Sequence, residues 1–196
     1  MEDMAPTVHA FDWPDRFVVG TVGTPGDRTF FLQVRTGQEI VSVSLEKQQA
    51  SALADRIDEV LDTLMAEDGN PFSVPSGTPV ELEDTDPLDE PVDDLFRAGT
   101  MSLGWDPNIS QLVVEAYAIA EIDVDALEPD ALELRDGILE IDLEPDELLR
   151  VTIPVGSARA FAKRARDVVA SGRPVCSLCG EPMEGDHVCE LPDGFR

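Results

Sequence analysis

The chain runs twice through the same succession of predicted elements, three strands followed by one helix. Runs rich in Val, Phe and Thr, bounded by turn residues such as Gly and Pro, predict the strands. Apolar residues spaced three and four apart predict the helices. The strands are predicted over 16–22, 28–36 and 39–46 before a helix over 47–66, and over 96–105, 111–120 and 148–155 before a helix over 156–171. This succession predicts an α+β fold.

The two halves also resemble each other residue by residue. The motif Phe-x-x-Gly-Thr begins at Phe17 and again at Phe96, and residues 43–61 align with 151–169 through shared Val, Ala and Arg positions. We interpret the match as a duplicated β-β-β-α unit, although two amphipathic helices built from Ala and Arg could match by coincidence. Because one such unit buries little area, two copies should pack together around a single core.

Two acidic segments interrupt this pattern. Residues 69–93 are rich in Pro and Gly, and the stretch 81–94 carries eight carboxylates and no cation. Residues 121–147 carry twelve carboxylates against one Arg. Such compositions do not favour a packed core, so we interpret the first as a linker or long surface loop and the second as an insertion. The predicted domains are a first repeat over 1–68, an acidic Pro-rich linker over 69–93, a second repeat over 94–172 with the insertion 121–147, and a C-terminal hairpin over 173–196.

All three cysteines lie within fourteen residues, together with one of the two histidines. They are arranged as Cys176-x2-Cys179-x7-His187-x-Cys189. Two residues between the first two thiolates let both sulfurs reach one ion, and the next seven are enough for a hairpin to return the second pair. Zinc is held tetrahedrally by four such ligands, and a site without an open position is structural rather than catalytic. We therefore predict one structural Zn²⁺ in the C-terminal hairpin.

The alternatives for these cysteines are a redox Cys-x-x-Cys pair or unrelated buried thiols. A redox pair normally opens a helix, whose N-terminus lowers the pKa of the thiol, whereas Cys176 follows a predicted helix. An isolated Cys-x-x-Cys is common, but four ligands in one hairpin are not. Zinc is the favoured interpretation.

The charge balance limits the partners of the chain. Its 41 acidic and 14 basic residues give a formal net charge of −27. Nucleic acid and anionic membranes repel such a protein unless its cations gather on one face. The N-terminus lacks the pattern of a signal peptide, and no segment has the apolar length of a membrane span. We expect a cytoplasmic protein with no membrane partner, for which nucleic-acid binding is disfavoured.

Five of the fourteen cations lie within fifteen residues just before the cysteines. Four of them lie on the predicted second helix and form a candidate anion-binding set: Arg159, Lys163, Arg164 and Arg166. The spacing of Arg159, Lys163 and Arg166 places those three on one helical face. The alternative is that this face is solvated or pairs with the acidic loops of the protein itself, and the net charge favours that alternative.

The sequence contains no convincing catalytic constellation. The run Gly20-x-x-Gly23-x-x-Gly26 resembles a phosphate loop, but it leads into a strand, so we interpret it as a hairpin turn. His9, the only histidine outside the cysteine cluster, lies on a polar N-terminal stretch where a surface role is expected. We predict no catalytic or cofactor-binding residues, and an enzyme is the less favoured class.

Several stretches resemble one known family, the actinobacterial proteins called domain of unknown function 3090. They are residues 17–35, 43–61, 86–92 and 176–196, of which Leu45-Glu-Lys-Gln-Gln49 and the Cys-x-x-Cys-Gly…His-x-Cys pattern are the most specific. The family's cysteine and histidine pattern falls on the four predicted zinc ligands. Its usual Asn-Gly-Tyr-Arg end is replaced here by Asp-Gly-Phe-Arg at 193–196. The resemblance implies a cytoplasmic protein often encoded beside a histidine-phosphatase-like protein and a lipid-kinase-like protein.

These observations favour a non-enzymatic binding or adaptor protein that carries a structural zinc and docks to a protein partner, for which those two neighbours are candidates. The alternative is an enzyme or binder of a phosphorylated or anionic small molecule, in a cleft between the repeats. Arginines such as Arg16, Arg28, Arg56 or Arg164 would then converge with Lys47 in a concave pocket.

Overall fold

The computed structural model describes residues 6–24, 26–119, 133–135, 138–140 and 145–172. The strands within these residues are β1 (Thr7–Asp12), β2 (Arg16–Thr24), β3 (Asp27–Thr36), β4 (Glu39–Leu45), β5 (Asp94–Asp106), β6 (Gln111–Ala118), β7 (Glu133–Arg135), β8 (Ile138–Glu140) and β9 (Glu147–Pro154). The helices are α1 (Lys47–Met65) and α2 (Val155–Ala170), with a short 3₁₀ helix over Val80–Leu82.

Seven of these strands form one mixed sheet in the order β1-β9-β6-β5-β4-β3-β2. Neighbouring strands are antiparallel within the triplet β2-β3-β4 and within the triplet β5-β6-β9. The two triplets join through a parallel contact between β4 and β5, and β1 adds a second parallel contact along β9. Two edges therefore bound the sheet, β1 at one end and β2 at the other. The strands β7 and β8 pair with each other as a separate antiparallel hairpin.

Both helices pack into one core with the same face of the sheet. Helix α1 contributes a stripe of buried side chains that includes Leu53, Ile57 and Leu61, as its three- and four-residue spacing predicts. Helix α2 contributes Phe161, whose ring stacks on that of Phe17 in β2 with 4.5 Å between the centroids. Because side chains alternate along a strand, only every second residue of each strand can enter this core.

The turn glycines explain the apparent phosphate-loop pattern. Gly23 and Gly26 have φ values of 102° and 100°, in the left-handed region that favours glycine, and they flank the β2–β3 turn. The hairpin interpretation is therefore consistent with the structure.

The α+β class predicted from the sequence is confirmed. The observed strands and helices of the two triplets begin and end within two residues of their predicted bounds. Two features were not predicted: β1, which the sequence placed on a polar stretch, and the β7–β8 hairpin inside the acidic insertion. The duplication of a β-β-β-α unit stays a prediction, although each triplet is followed by a helix. The predicted zinc hairpin over 173–196 lies outside the described residues.

Candidate functional site

Residues 78–93, which we call the acidic strap, begin against helix α2. The hydroxyl of Thr78 donates to the carbonyl of Arg159 at 3.3 Å. A short distance further on, Leu82 packs on Gly156, where an added Cβ would lie 3.2 Å from the leucine Cδ1. The strap therefore starts on the face of the sheet that carries the helices.

The far end of the strap lies on the opposite face. Leu88 packs on Gly20 of β2, so closely that a Cβ on this glycine would lie 2.5 Å from the leucine side chain. The main-chain N–H of Asp89 donates to Gln33 Oε1 at 2.8 Å, and Gln33 Nε2 donates back to the Asp89 carbonyl at 3.0 Å. Gly20 follows Val19, which is part of the helix-side core, so by alternation it faces the other side. The strap thus wraps around the β2 edge of the sheet.

Two arginines hold the strap where it crosses this edge. Arg16 donates from Nε and Nη2 to the two carboxylate oxygens of Asp84, at 2.7 and 3.0 Å. Arg164 of α2 donates to the same carboxylate from Nη1, and from Nε to the Val19 carbonyl at 2.9 Å. Both arginine side chains are only 9% exposed. The composition of the strap is therefore compatible with an ordered, packed segment, because arginines of the body pair with its carboxylates at Asp84 and Asp89.

Arg16, Asp84 and Arg164 form what we call the triad. The pKa shifts of its three members differ in direction and cause. The hydrogen bonds from Arg16 hold the pKa of the Asp84 carboxyl below its ordinary value. The same contact raises the pKa of the Arg16 guanidinium. Burial instead lowers the pKa of Arg164, and the neighbouring positive charge of Arg16 adds to that effect. A guanidinium stays charged in either case. The positive charge that Asp84 does not balance is offset by Asp89, whose carboxylate lies 2.9 Å from Arg16 Nη1, and by the carbonyls of Asp86 and Pro87.

A cleft of about 430 Å³, which we call the α2 cleft, opens beside this triad. Its lining is mainly apolar. The lining residues come from the β1–β2 connection, the start of β2, the strap, the end of β9 and the first turns of α2. They include Trp13, Phe17, Leu82, Pro154 and Phe161. The stacked pair of phenylalanines forms part of the wall. The three charged members of the triad also line the cleft, but they bind one another and the main chain. The cleft therefore offers apolar surface and no available cation; the remaining charged residue of its lining is the exposed carboxylate Asp15.

The apolar surface continues on the rim of the cleft. Trp13 is 64% exposed and Leu82 40%, and both line the cleft. Exposed carboxylates flank these side chains in the chain: Asp12 and Asp15 around Trp13, and Glu81 and Glu83 around Leu82. Contiguous apolar side chains with a polar rim mark interaction sites on soluble proteins. This rim is acidic as well as polar.

The cations predicted from the sequence as an anion-binding set lie against carboxylates of the protein. Arg159, only 8% exposed, donates to Asp58 at 2.6 Å and to Asp62 at 2.8 Å, both on α1. Arg166 pairs with the second oxygen of Asp58. These contacts join the two helices and occupy the guanidinium groups.

The other two members of the set have similar partners. Lys163 lies 2.9 Å from Asp167 and 3.9 Å from Glu83, and Arg164 belongs to the triad with Asp84. All four cations therefore pair with carboxylates of the protein itself: Lys163 and Arg164 with the acidic segment, as the alternative interpretation expected, and Arg159 and Arg166 with helix α1. A role for the four residues in binding an external anion stays a prediction.

A second cleft, of about 410 Å³, lies where β4 leads into α1 and is called the β4–α1 cleft. It is lined by Arg28, Thr29, Phe30, Ser44, Leu45, Glu46, Lys47, Asp94 and Arg97. The residues come from the first triplet, from α1 and from β5 of the second triplet. Three cations and two carboxylates face this space.

The arginines suggested for an anion cleft do not all converge with Lys47. Arg28 lines the same cleft as Lys47, whereas Arg16 and Arg164 line the α2 cleft. Arg56 lies elsewhere on α1, where it pairs with Glu59. Arg97, which the sequence did not single out, takes a place beside Arg28 and Lys47.

The predicted zinc ligands Cys176, Cys179, His187 and Cys189 lie outside the described residues. Within the described residues, no group of three or more His, Cys, Asp or Glu side chains is arranged to hold a metal ion. His9 lies on β1, half-buried, with its Nε2 3.2 Å from a carboxylate oxygen of Glu147. Its environment is an edge of the sheet rather than a polar tail.

Sequence reasoning did not identify the main components of the α2 cleft. Nothing local distinguishes Asp84 from the seven other carboxylates around it, because its role depends on two arginines distant in the chain. Trp13 carried a signal: it is a large apolar side chain followed by proline, just before the first predicted strand, and exposed apolar side chains with a polar surround can mark binding sites.

The fold defines an α+β protein with one seven-stranded mixed sheet, two helices on one face and an acidic strap around one edge. None of the described helices is long and apolar enough to cross a membrane. The chain belongs to the family described as protein of unknown function (DUF3090), whose profile matches residues 9–189. The match reaches the last predicted zinc ligand, and it confirms the family resemblance read from the sequence. No curated protein and no solved structure matches the chain.

Proposed function

We propose that this protein is a non-enzymatic binding or adaptor protein that docks to a protein partner through the α2 cleft. The observation that carries the proposal is the exposed apolar rim formed by Trp13 and Leu82 around an apolar cleft. Buried aromatic anchors provide much of the affinity of protein interfaces. The two arginines that line this cleft already bind Asp84, and the remaining charged residue of the lining is the carboxylate Asp15, so the cleft suits an apolar side chain of a partner better than an anionic substrate.

Charge complementarity indicates the chemistry of that partner. The exposed carboxylates beside the rim, and the net charge of −27, favour a segment with an apolar anchor between Lys or Arg residues. An acidic segment would be repelled both by the rim and by the field of the whole protein.

The docking proposal can be tested with peptides that carry one Leu, Phe or Trp between lysines or arginines. We expect saturable binding, measured by calorimetry, and at least about tenfold weaker binding to Trp13→Ala, because truncated aromatic anchors commonly lose more than 1.4 kcal/mol. Ile109→Ala is the matched control, since Ile109 is 51% exposed but lies in the β5–β6 turn.

Two outcomes would contradict docking at the α2 cleft. One is binding that Trp13→Ala and Ile109→Ala weaken equally. The other is equal binding of peptides in which glutamates replace the lysines or arginines, because the acidic rim would then have no influence on the partner.

We also propose that Cys176, Cys179, His187 and Cys189 hold one structural Zn²⁺. The support is the chemistry of the donor set: three thiolates and one imidazole fill a tetrahedral zinc site. Such clustered thiols suit a reducing compartment, so we expect a cytoplasmic location. The family resemblance adds the expectation of an actinobacterial source. The similar order of the two triplets, each followed by a helix, supports their origin by duplication.

The zinc proposal predicts a separation between the tail and the body. Metal analysis should find one zinc per chain, and Cys176→Ser or a chelator should make residues 173–196 sensitive to protease. The unfolding transition of the body, followed by circular dichroism, should persist because its described core contains no cysteine. Loss of that transition together with the metal would contradict the separation, and purified protein without zinc would contradict the site.

A further inference from the structure

Nearly all the lysines and arginines whose side chains the structure describes pair with carboxylates of the protein. Side chains are described for eleven of the fourteen, Arg135, Arg173 and Arg196 being the exceptions. Nine of the eleven form an ion pair with Asp or Glu. The other two, Arg28 and Lys47, have no carboxylate partner among the described residues, and both line the β4–α1 cleft.

Arg28 is held in place by neutral groups. Its guanidinium donates to the carbonyl and hydroxyl oxygens of Ser171, at 3.4 and 3.2 Å, and to the carbonyl of Val168 at 3.4 Å. It also lies over the ring of Phe30, 5.3 Å from the centroid. The carbonyl end of α2 favours a nearby cation, but these contacts are all with neutral groups, and no described carboxylate pairs with Arg28.

Gly172 leaves open the space between the two cations. A Cβ added to it would lie 3.5 Å from Arg28 Nη2 and 3.6 Å from Lys47 Nζ, so these two nitrogens are no more than about 7 Å apart. The φ of Gly172 is not in the left-handed region, so its conformation does not demand glycine. Two positive groups therefore border the same small space, which the carbonyl oxygen of Val169 also borders at 3.8 Å.

The carboxylates that line the same cleft already have partners. Glu46 pairs with Arg97 and completes the capping box of α1. Asp94 accepts a hydrogen bond from the main-chain N–H of Ser44 at 2.9 Å. The cleft therefore carries more positive than negative side chains on a protein whose net charge is −27.

We propose that the β4–α1 cleft binds a phosphoryl-bearing anion between Arg28 and Lys47, with Arg97 at the rim. A phosphoryl group matches this arrangement because arginine binds its oxygens through paired N–H groups and lysine supplies a compact positive charge. The volume of about 410 Å³ admits the phosphoryl group and part of the molecule that carries it. This site is separate from the α2 cleft and does not depend on the proposed docking function.

The test is a titration of the full chain with inorganic phosphate and with pyrophosphate, followed by amide NMR at constant ionic strength. We expect saturable shifts at residues 28, 47 and 97, and tighter binding of pyrophosphate. The double variant Arg28→Gln/Lys47→Gln should bind at least about tenfold more weakly, because it removes two charge-assisted hydrogen bonds. Lys47→Gln alone serves as a variant with little risk to the fold, because Lys47 is exposed at the start of α1.

Arg56→Gln is the matched control, because Arg56 is an exposed cation on α1 outside this cleft. It should bind phosphate like the unchanged protein, and so should Trp13→Ala if the two clefts are independent. Shifts spread over the whole surface, no saturation, or equal weakening by Arg56→Gln and Lys47→Gln would overturn the site. None of these outcomes would bear on peptide docking at the α2 cleft.

Discussion

Replacing Asp84 with alanine is expected to lower the free energy of unfolding by about 2 to 3 kcal/mol. The change would leave Arg16 and Arg164 without their shared carboxylate, although both side chains are only 9% exposed. Removing one partner of a fully buried ion pair costs about 3 to 5 kcal/mol, and the expected loss is smaller here because Asp84 is 27% exposed. Urea unfolding followed by circular dichroism would measure it.

Asp93→Ala is the matched control, because Asp93 is an exposed carboxylate of the same strap with no hydrogen bond or ion pair among the described residues. It should change stability by less than about 0.5 kcal/mol. Equal effects of the two substitutions would contradict the role assigned to the triad.

The effect of Asp84→Ala should also depend on pH in one direction. Arg16 lowers the pKa of Asp84 in the folded protein below the ordinary value of 3.8. The stabilisation is therefore fully present above about pH 4 and is lost as the pH falls through the lower, folded-state pKa. The difference in the free energy of unfolding between the unchanged protein and Asp84→Ala should be constant from about pH 7 to pH 5 and shrink below about pH 4. A difference that already shrinks between pH 7 and pH 5 would contradict this assignment.

Gly20→Ala is expected to lower the free energy of unfolding by about 1 to 3 kcal/mol, the usual effect of overpacking. The new methyl group would lie 2.5 Å from both Cγ and Cδ2 of Leu88, so the leucine and the strap around it would have to move. Gly104→Ala is the control in β5, where the nearest atoms to an added Cβ are at 4.0 Å.

A double-mutant cycle separates the clash from the other effects of the new methyl group. If the contact with Leu88 is the cause, then Gly20→Ala should be much less destabilising in a Leu88→Ala background. Additive effects of the two substitutions would indicate that the strap does not pack on Gly20 as described.

The parts of the fold that follow from local pattern were predicted from the sequence. The stripe of Leu53, Ile57 and Leu61 defines α1, and the turn glycines 23 and 26 define the β2–β3 hairpin. The strand β1 could not be predicted in this way. It is short and mostly exposed, and what stabilises it is pairing along β9, about 140 residues away in the chain.

The candidate sites were less accessible to sequence reasoning, because they depend on which distant charges meet. The sequence counted the cations of α2 as one set, yet Arg159 binds Asp58 on α1 whereas Arg164 binds Asp84 in the strap. Acidic composition suggested that residues 69–93 would not pack, but composition does not reveal that two buried arginines bind carboxylates of this segment. The four predicted zinc ligands lie close together in the sequence, so spacing alone was enough to predict a site there.

The parallel pairing of β1 with β9 has a consequence for the order of assembly during synthesis. Of the described strands, β1 is synthesised first and β9 last. Strand β1 cannot join the sheet before β9 has been synthesised, because β9 is its one neighbour among the described strands. Contacts between residues so far apart in the chain slow folding. We therefore expect β2, β3, β4 and α1 to form first on the nascent chain, with β1 added only after β9 has emerged.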